Sequence, residues 1–225
     1  TYGVTPELHK GLLQAYYASV SYMDAQVGRV LDALKEKGLA DNTIVVFSSD
    51  HGYLLGHHHK YQKQHLFEEA TRVPFIISVP WLKDQHGQGT TKITELVDLY
   101  PTLAELAGVS APETLQGTSL KPLLSDTESS AWAKDQAFTI SRSGGESIRR
   151  EDWRFTQWGF GEKGQELYNL KKDPGEFKNL ANNPEYATVL KTLRQQLLAK
   201  RNEAGFEANR AVIEGKGKQK TSAKR

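Results

Sequence analysis

No cysteine occurs anywhere in the 225 residues. That excludes a disulfide framework, a zinc–thiolate centre and a cysteine nucleophile. Long hydrophobic runs are missing too. None approaches the roughly 20 residues that cross a bilayer as a helix, so no membrane partner is expected. The opening Thr1-Tyr2-Gly3-Val4 has neither an initiator methionine nor a signal-peptide pattern, and the chain reads as part of something longer. There is also little surplus of one charge. The net charge is +2, but Glu214–Arg225 holds five basic residues and one acid, which leaves −2 on the remainder. No nucleic-acid groove is expected in the folded part, and residues 211–225 read as a basic, disordered tail.

With 38% hydrophobic and 25% charged residues, the chain has the make-up of an ordinary globular protein. Thr5-Pro6 opens a helix, the hydroxyl as N-cap and the proline in the first turn. Leu13, Tyr16, Val20, Met23, Val27, Val30 and Leu34 follow at steps of three and four, a stripe expected to face the core before Gly38 ends the helix. Ile44–Ser48 and Arg72–Val79 are continuously apolar rather than alternating. That suits strands buried on both faces, as in a parallel sheet. Thr94–Val97 reads as a further short extended piece, and Asp98-Leu99-Tyr100-Pro101 starts a helix that ends at Gly108. This order implies an α/β fold over residues 1–129, part of a mainly parallel sheet sandwiched by helices.

The polar stretch Ser125–Ser130 reads as a boundary. Beyond it, Ala137–Ser141, Trp153–Trp158 and Glu166–Asn169 are short extended pieces separated by Gly-rich and Asp-Pro-Gly turns. Together with a terminal helix from about Pro184 to Ala204, they imply a small antiparallel C-terminal subdomain over residues 130–210.

The stretch "VVFSSDHGYLLGHHHKYQK" carries the chemistry. Sites in open α/β sheets lie beyond the carboxyl ends of strands, and Asp50 sits at such an end. A carboxylate there suits a hard divalent cation, and His51 can add a second ligand. Gly52 lets the backbone turn without a Cβ clash. The following loop is long enough to return Lys63 to the same point, where its ammonium would hold an anion that also touches the metal. On these residues alone, a plain turn and a surface lysine serve as well. A second metal site at His57-His58-His59 is not expected. Adjacent histidines in an extended chain point to opposite sides, and no cysteine completes a zinc set.

The longer pattern "SSDHGYLLGHHHKYQKQHLFEEATRVPFII" resembles the sulfatase family of the alkaline-phosphatase superfamily. So do "YYASVSYMDAQVGRVLDAL", "VDLYPTLAELAGVSAPETLQGTSLKPLL", "SIRREDWRFTQW" and "ELYNLKKDPGEFKNLA". The nearest subgroup by these motifs is the iduronate-2-sulfatase-like enzymes. The resemblance implies Ca²⁺ or another hard divalent cation at Asp50 and His51. It makes Lys63 the lysine that contacts the sulfate and assists the leaving group. It places Tyr53 at the substrate pocket or in packing, and matches His58 to a recurring loop histidine. Arg149 is expected in a structural ion pair. The substrate class implied is sulfated carbohydrate, in a periplasmic, secreted or lysosomal setting. Two family features are lacking in residues 1–225: the Cys/Ser-x-Pro-x-Arg setting of the formylglycine nucleophile and an Asp-Asp pair that helps to hold the metal. Both are expected from an N-terminal half, the natural partner of this chain, without which the chain is expected to be inactive. A phosphoester or phosphonate hydrolase of the same superfamily, or a non-catalytic remnant that binds anions or a partner, are the alternatives.

Overall fold

The computed structural model describes residues 3–205. The tail read at 211–225 lies outside the described residues. Contacts divide the chain into two units: Thr1–Lys92 with Leu120–Ala133, and Ile93–Ser119 with Lys134–Arg225.

The first unit opens on α1, Pro6–Glu36, where the Thr5 hydroxyl accepts from the Leu8 amide at 3.2 Å. Lys37 and a left-handed Gly38 close the helix. The stripe expected to face a core is only partly covered, with Leu13, Val27 and Leu34 half-buried. No residue of α1 is buried, and Val30 is 68% exposed. The cause is area. A helix of 31 residues is about 46 Å long. The unit's own cluster, Leu120, Leu123 and Trp132 with Phe75 and Ile77 against it, is too small to cover it.

Strands β1 (Val45–Ser48) and β4 (Phe75–Ser78) were expected in a mainly parallel sheet. They pair antiparallel instead, Val45 opposite Ser78 and Ser48 opposite Phe75. No parallel ladder forms among the described residues. An unbroken apolar run reports what a strand faces, not the direction of its neighbour. Between these strands lie a short hairpin, β2 (Leu54–Leu55) with β3 (Tyr61–Gln62), and one helical turn, α2 (Glu68–Thr71).

In the second unit, residues 96–98 form a 3₁₀ turn rather than the extended piece expected, and lead into α3, Leu99–Leu106. A fully buried Asp98 ties this segment together. One carboxylate oxygen accepts from the Glu95 amide at 2.8 Å, the other from the Thr118 amide at 2.8 Å and from Lys134 Nζ at 2.6 Å. Lys134 also reaches Glu95 at 2.8 Å, and Glu95 accepts the Phe138 amide at 2.7 Å. The buried Asp98 charge is tolerated because it is hydrogen-bonded and shares the ammonium of the half-buried Lys134 with Glu95.

The antiparallel sheet and terminal helix expected near the C-terminus are present. The order is β5 (Gln136–Ile140), β6 (Gly145–Arg150), β7 (Trp153–Trp158) and β8 (Gln165–Asn169), each antiparallel to the next. Helix α4, Lys121–Ser125, belongs to the first unit, and α5, Ala187–Glu203, follows β8. Register aligns Phe138, Ile148, Phe155 and Leu167 in one row across the four strands. Leu193 and Leu197 of α5 share their buried cluster. The Asp-Pro-Gly segment is a scaffold built on side chains. Asn179 accepts from the Leu167 and Ala181 amides and donates to the Gln165 carbonyl, while Asp173 accepts from the Lys178 amide. Glu176 meets Arg154 at 2.7 Å, both almost wholly buried. Burial, aided by Glu166 and Glu176, pushes the Tyr168 hydroxyl well above its ordinary range and keeps it protonated. No helix among the described residues is long and apolar enough to cross a membrane.

Candidate metal and anion site

Asp50 lies two residues past the end of β1, with its side chain 85% exposed. The Ser49 hydroxyl donates to the His51 carbonyl at 2.8 Å and fixes the turn. His51 Nδ1 lies 2.8 Å from the Gly52 carbonyl. A carbonyl only accepts, so Nδ1 is the donor and Nε2 is the nitrogen left to serve as a ligand. That Nε2 stands 3.7 Å from Asp50 Oδ1. At that separation the carboxylate and the imidazole could both reach one ion. Anchoring the far nitrogen on a carbonyl is how metal-binding imidazoles are commonly oriented. The pair therefore fits a hard cation. It supplies only part of a coordination shell, and no group of three or more His, Asp or Glu residues among the described residues is placed to hold an ion.

Gly52 does not serve the turn through its conformational freedom, because its φ is not positive. It serves close approach. Its amide donates to the Ala70 carbonyl at 2.9 Å, and a Cβ there would stand 1.9 Å from the Glu69 carbonyl oxygen. The strand end is thereby pressed against α2.

The loop that carries Lys63 is tightly wound. Gly56, His58, His59 and Gln62 all take positive φ. The histidine run is a tight turn with His58 and His59 in left-handed conformations, not the extended chain expected. His58 stacks on Phe67 with ring centroids 3.9 Å apart, and His57 faces Glu69 at 3.7 Å. Tyr53, 38% exposed, packs at 5.6 Å from the Tyr16 ring of α1. Lys63 is exposed, directly after β3, and makes no ion pair or hydrogen bond among the described residues. Its charge is available to an anion.

Three contacts escaped the sequence reading. His9 of α1 bonds the Tyr61 hydroxyl at 2.8 Å across 52 positions. His65 donates to the Tyr61 carbonyl at 3.3 Å. Glu69 closes over Gly52 and His57. Nothing in linear order signals the first, because the partners lie on different elements.

Two family models match. One described as sulfatase covers residues 1–109, and one described as N-sulphoglucosamine sulphohydrolase, C-terminal, covers residues 56–203. An arylsulfatase of Clostridium perfringens is 36% identical over 210 residues, spanning 89% of this chain and 43% of that protein. The iduronate 2-sulfatase of Mus musculus is 31% identical over 267 residues, spanning 86% of this chain and 48% of that protein. Among solved structures, a 2-O GAG sulfatase superposes with a TM-score of 0.82 at 31% identity, over 91% of this chain and 46% of that one. The chain thus spans less than half the length of these relatives.

Proposed function

The chain belongs to the sulfatase family, and we propose that it forms the C-terminal portion of an enzyme that hydrolyses sulfate esters of sugars. The observation that carries this reading is the Asp50–His51 pair. Two donors face each other at 3.7 Å with the tautomer set for ligation, and an unpaired Lys63 stands thirteen positions on. In this reading Asp50 and His51 hold Ca²⁺, or another hard divalent cation, which when bound draws negative charge off the ester oxygens. Lys63 holds the sulfate and steadies the leaving oxygen. A single such charge pair at about 4 Å contributes roughly 4 kcal/mol at an effective dielectric near 20, before desolvation. Tyr53 borders the substrate pocket, and His58, locked against Phe67, shapes the loop.

The remaining ligands, the Asp-Asp pair and the formylglycine come from sequence outside residues 1–225. The partly uncovered stripe of α1 and the open edges of the β1–β4 pair are where that N-terminal half docks, completing a mainly parallel sheet. The names of the relatives, iduronate 2-sulfatase and 2-O GAG sulfatase, support a sulfated uronic-acid-containing sugar as substrate.

The test is Lys63→Ala in the full-length protein, assayed with an aryl sulfate, sulfated disaccharides and an aryl phosphonate. Turnover of the sulfates should fall by at least about tenfold with the melting temperature unchanged. Preference for the phosphonate would move the assignment to a phosphonate hydrolase. Unchanged turnover by the variant would remove Lys63 from the site, and an inert wild type would favour a non-catalytic anion- or partner-binding protein.

A further inference from the structure

The loop bearing Lys63 is anchored on α1 through one side chain. His9 Nδ1 sits 2.8 Å from the Tyr61 hydroxyl, and the two rings meet edge to face with centroids 6.0 Å apart. The same imidazole fills the space over Gly56, where an added Cβ would lie 2.8 Å from His9 Cε1. One ring of α1 therefore touches both ends of the turn between β2 and β3. Tyr61 is held at a second point, its carbonyl accepting from His65 Nε2 at 3.3 Å. Lys63 lies midway between those two anchors, two residues from each. The segment needs such anchoring, because His58, His59 and Gln62 hold positive φ without being glycine, a conformation that persists only where the surroundings enforce it.

We infer that His9 is a positioning residue for Lys63: by gripping Tyr61 and packing on Gly56, it fixes the strained turn and hence the direction in which the lysine amine approaches the substrate anion. This inference rests on Lys63 being the sulfate-binding lysine. His9 makes no hydrogen bond to Asp50 or His51 and acts through Tyr61. The interaction is directional. An asparagine at position 9 places a polar side-chain atom near that of Nδ1 and keeps the bond to the hydroxyl, whereas alanine loses both the bond and the packing.

The experiment is a mutant cycle in the full-length protein, with kcat/KM read on an aryl sulfate and amide hydrogen exchange read over residues 56–63. His9→Ala should lower kcat/KM by about tenfold when Lys63 is present and by less than about twofold in a Lys63→Ala background, since coupled residues are non-additive. His9→Asn should recover most of the loss. Tyr61→Phe should reproduce it and add nothing to His9→Ala. Exchange over residues 56–63 should quicken in His9→Ala and Tyr61→Phe but not in Lys63→Ala. An equal loss from His9→Ala in both Lys63 backgrounds, or no loss at all, overturns the inference while leaving Lys63 in its role. A Lys63→Ala enzyme that keeps full activity overturns the underlying reading and the inference together. If His9→Ala does not fold, Tyr61→Phe decides by the same comparison.

Discussion

Gly52 and Gly117 meet the same demand in two places. A Cβ on Gly117 would stand 2.0 Å from the Val97 carbonyl oxygen, and one on Gly52 would stand 1.9 Å from that of Glu69. Neither contact can be relieved by rotating a side chain, because the obstruction is backbone. Gly52→Ala should therefore destabilise the chain by about 2 kcal/mol or more and weaken metal binding, since the strand end that carries Asp50 must back away from α2. A denaturation midpoint within error of the parent would show that α2 yields freely. His65 sets a second residue-scale expectation. Burial holds its imidazole below the ordinary value of 6.5, the Tyr61 carbonyl opposes this, and the Lys60 charge lowers it further. The unfolded chain takes up this proton near the ordinary value, whereas the folded chain resists it. The stability contributed by the neutral ring is present above about 6.5 and is lost as the pH falls below it. His65→Gln should flatten the melting temperature between about pH 7 and pH 5 relative to the parent. Parallel pH profiles for parent and variant would count against it.

At the scale of elements, two family motifs turn out to be scaffolding. In "VDLYPTL" and "LQGTSL", Asp98 receives the Thr118 amide, and Gly117 lets that strand of backbone lie against Val97. Lys134 bridges the two acids, Asp98 and Glu95. Lys134→Met should cost about 3–5 kcal/mol, because it strands a fully buried carboxylate. The check is chemical denaturation. A loss under about 1 kcal/mol would mean that water replaces the ammonium. Strand β6, Gly145–Arg150, went unread in the sequence for a related reason. Its buried Glu146 and Ser147 look like solvent-facing residues until Gln157 and Thr156 of β7 are placed opposite them to bond them. Cross-strand partners decide whether a polar residue can be buried, and register is a tertiary fact.

For the whole molecule, the deciding quantity is what this chain leaves uncovered. Tyr22 is 70% exposed and Val30 68% on α1, and Ile76 of β4 is 59% exposed. A purified chain of residues 1–225 should bind Ca²⁺ weakly, with two ligands where about six to eight are usual. It should release no sulfate from aryl sulfates, because no formylglycine setting lies within it. Calorimetry with Ca²⁺ and a sulfate-release assay test both points. Turnover by that preparation that depends on Lys63 would require a nucleophile from these residues. Val20→Glu should leave the melting of this chain within about 0.5 kcal/mol, since Val20 is 43% exposed, yet lower the stability of the full-length protein.

The sequence by itself determined the family, the caps of α1, three of the four C-terminal strands with the helix after them, and the candidate pair Asp50–His51, because these are local: a hydroxyl before a proline, a turn after Asp-Pro-Gly, an acid at a strand's end. It also named Lys63, through its place in the loop after Asp50, where it matches the family lysine. Only the tertiary structure decided that β1 and β4 run antiparallel, that the α1 stripe is left partly uncovered, that the histidine run turns through left-handed residues, and that His9 reaches Tyr61. Each of these depends on which surfaces meet, and an apolar period or a histidine reports its own chemistry without specifying its neighbour.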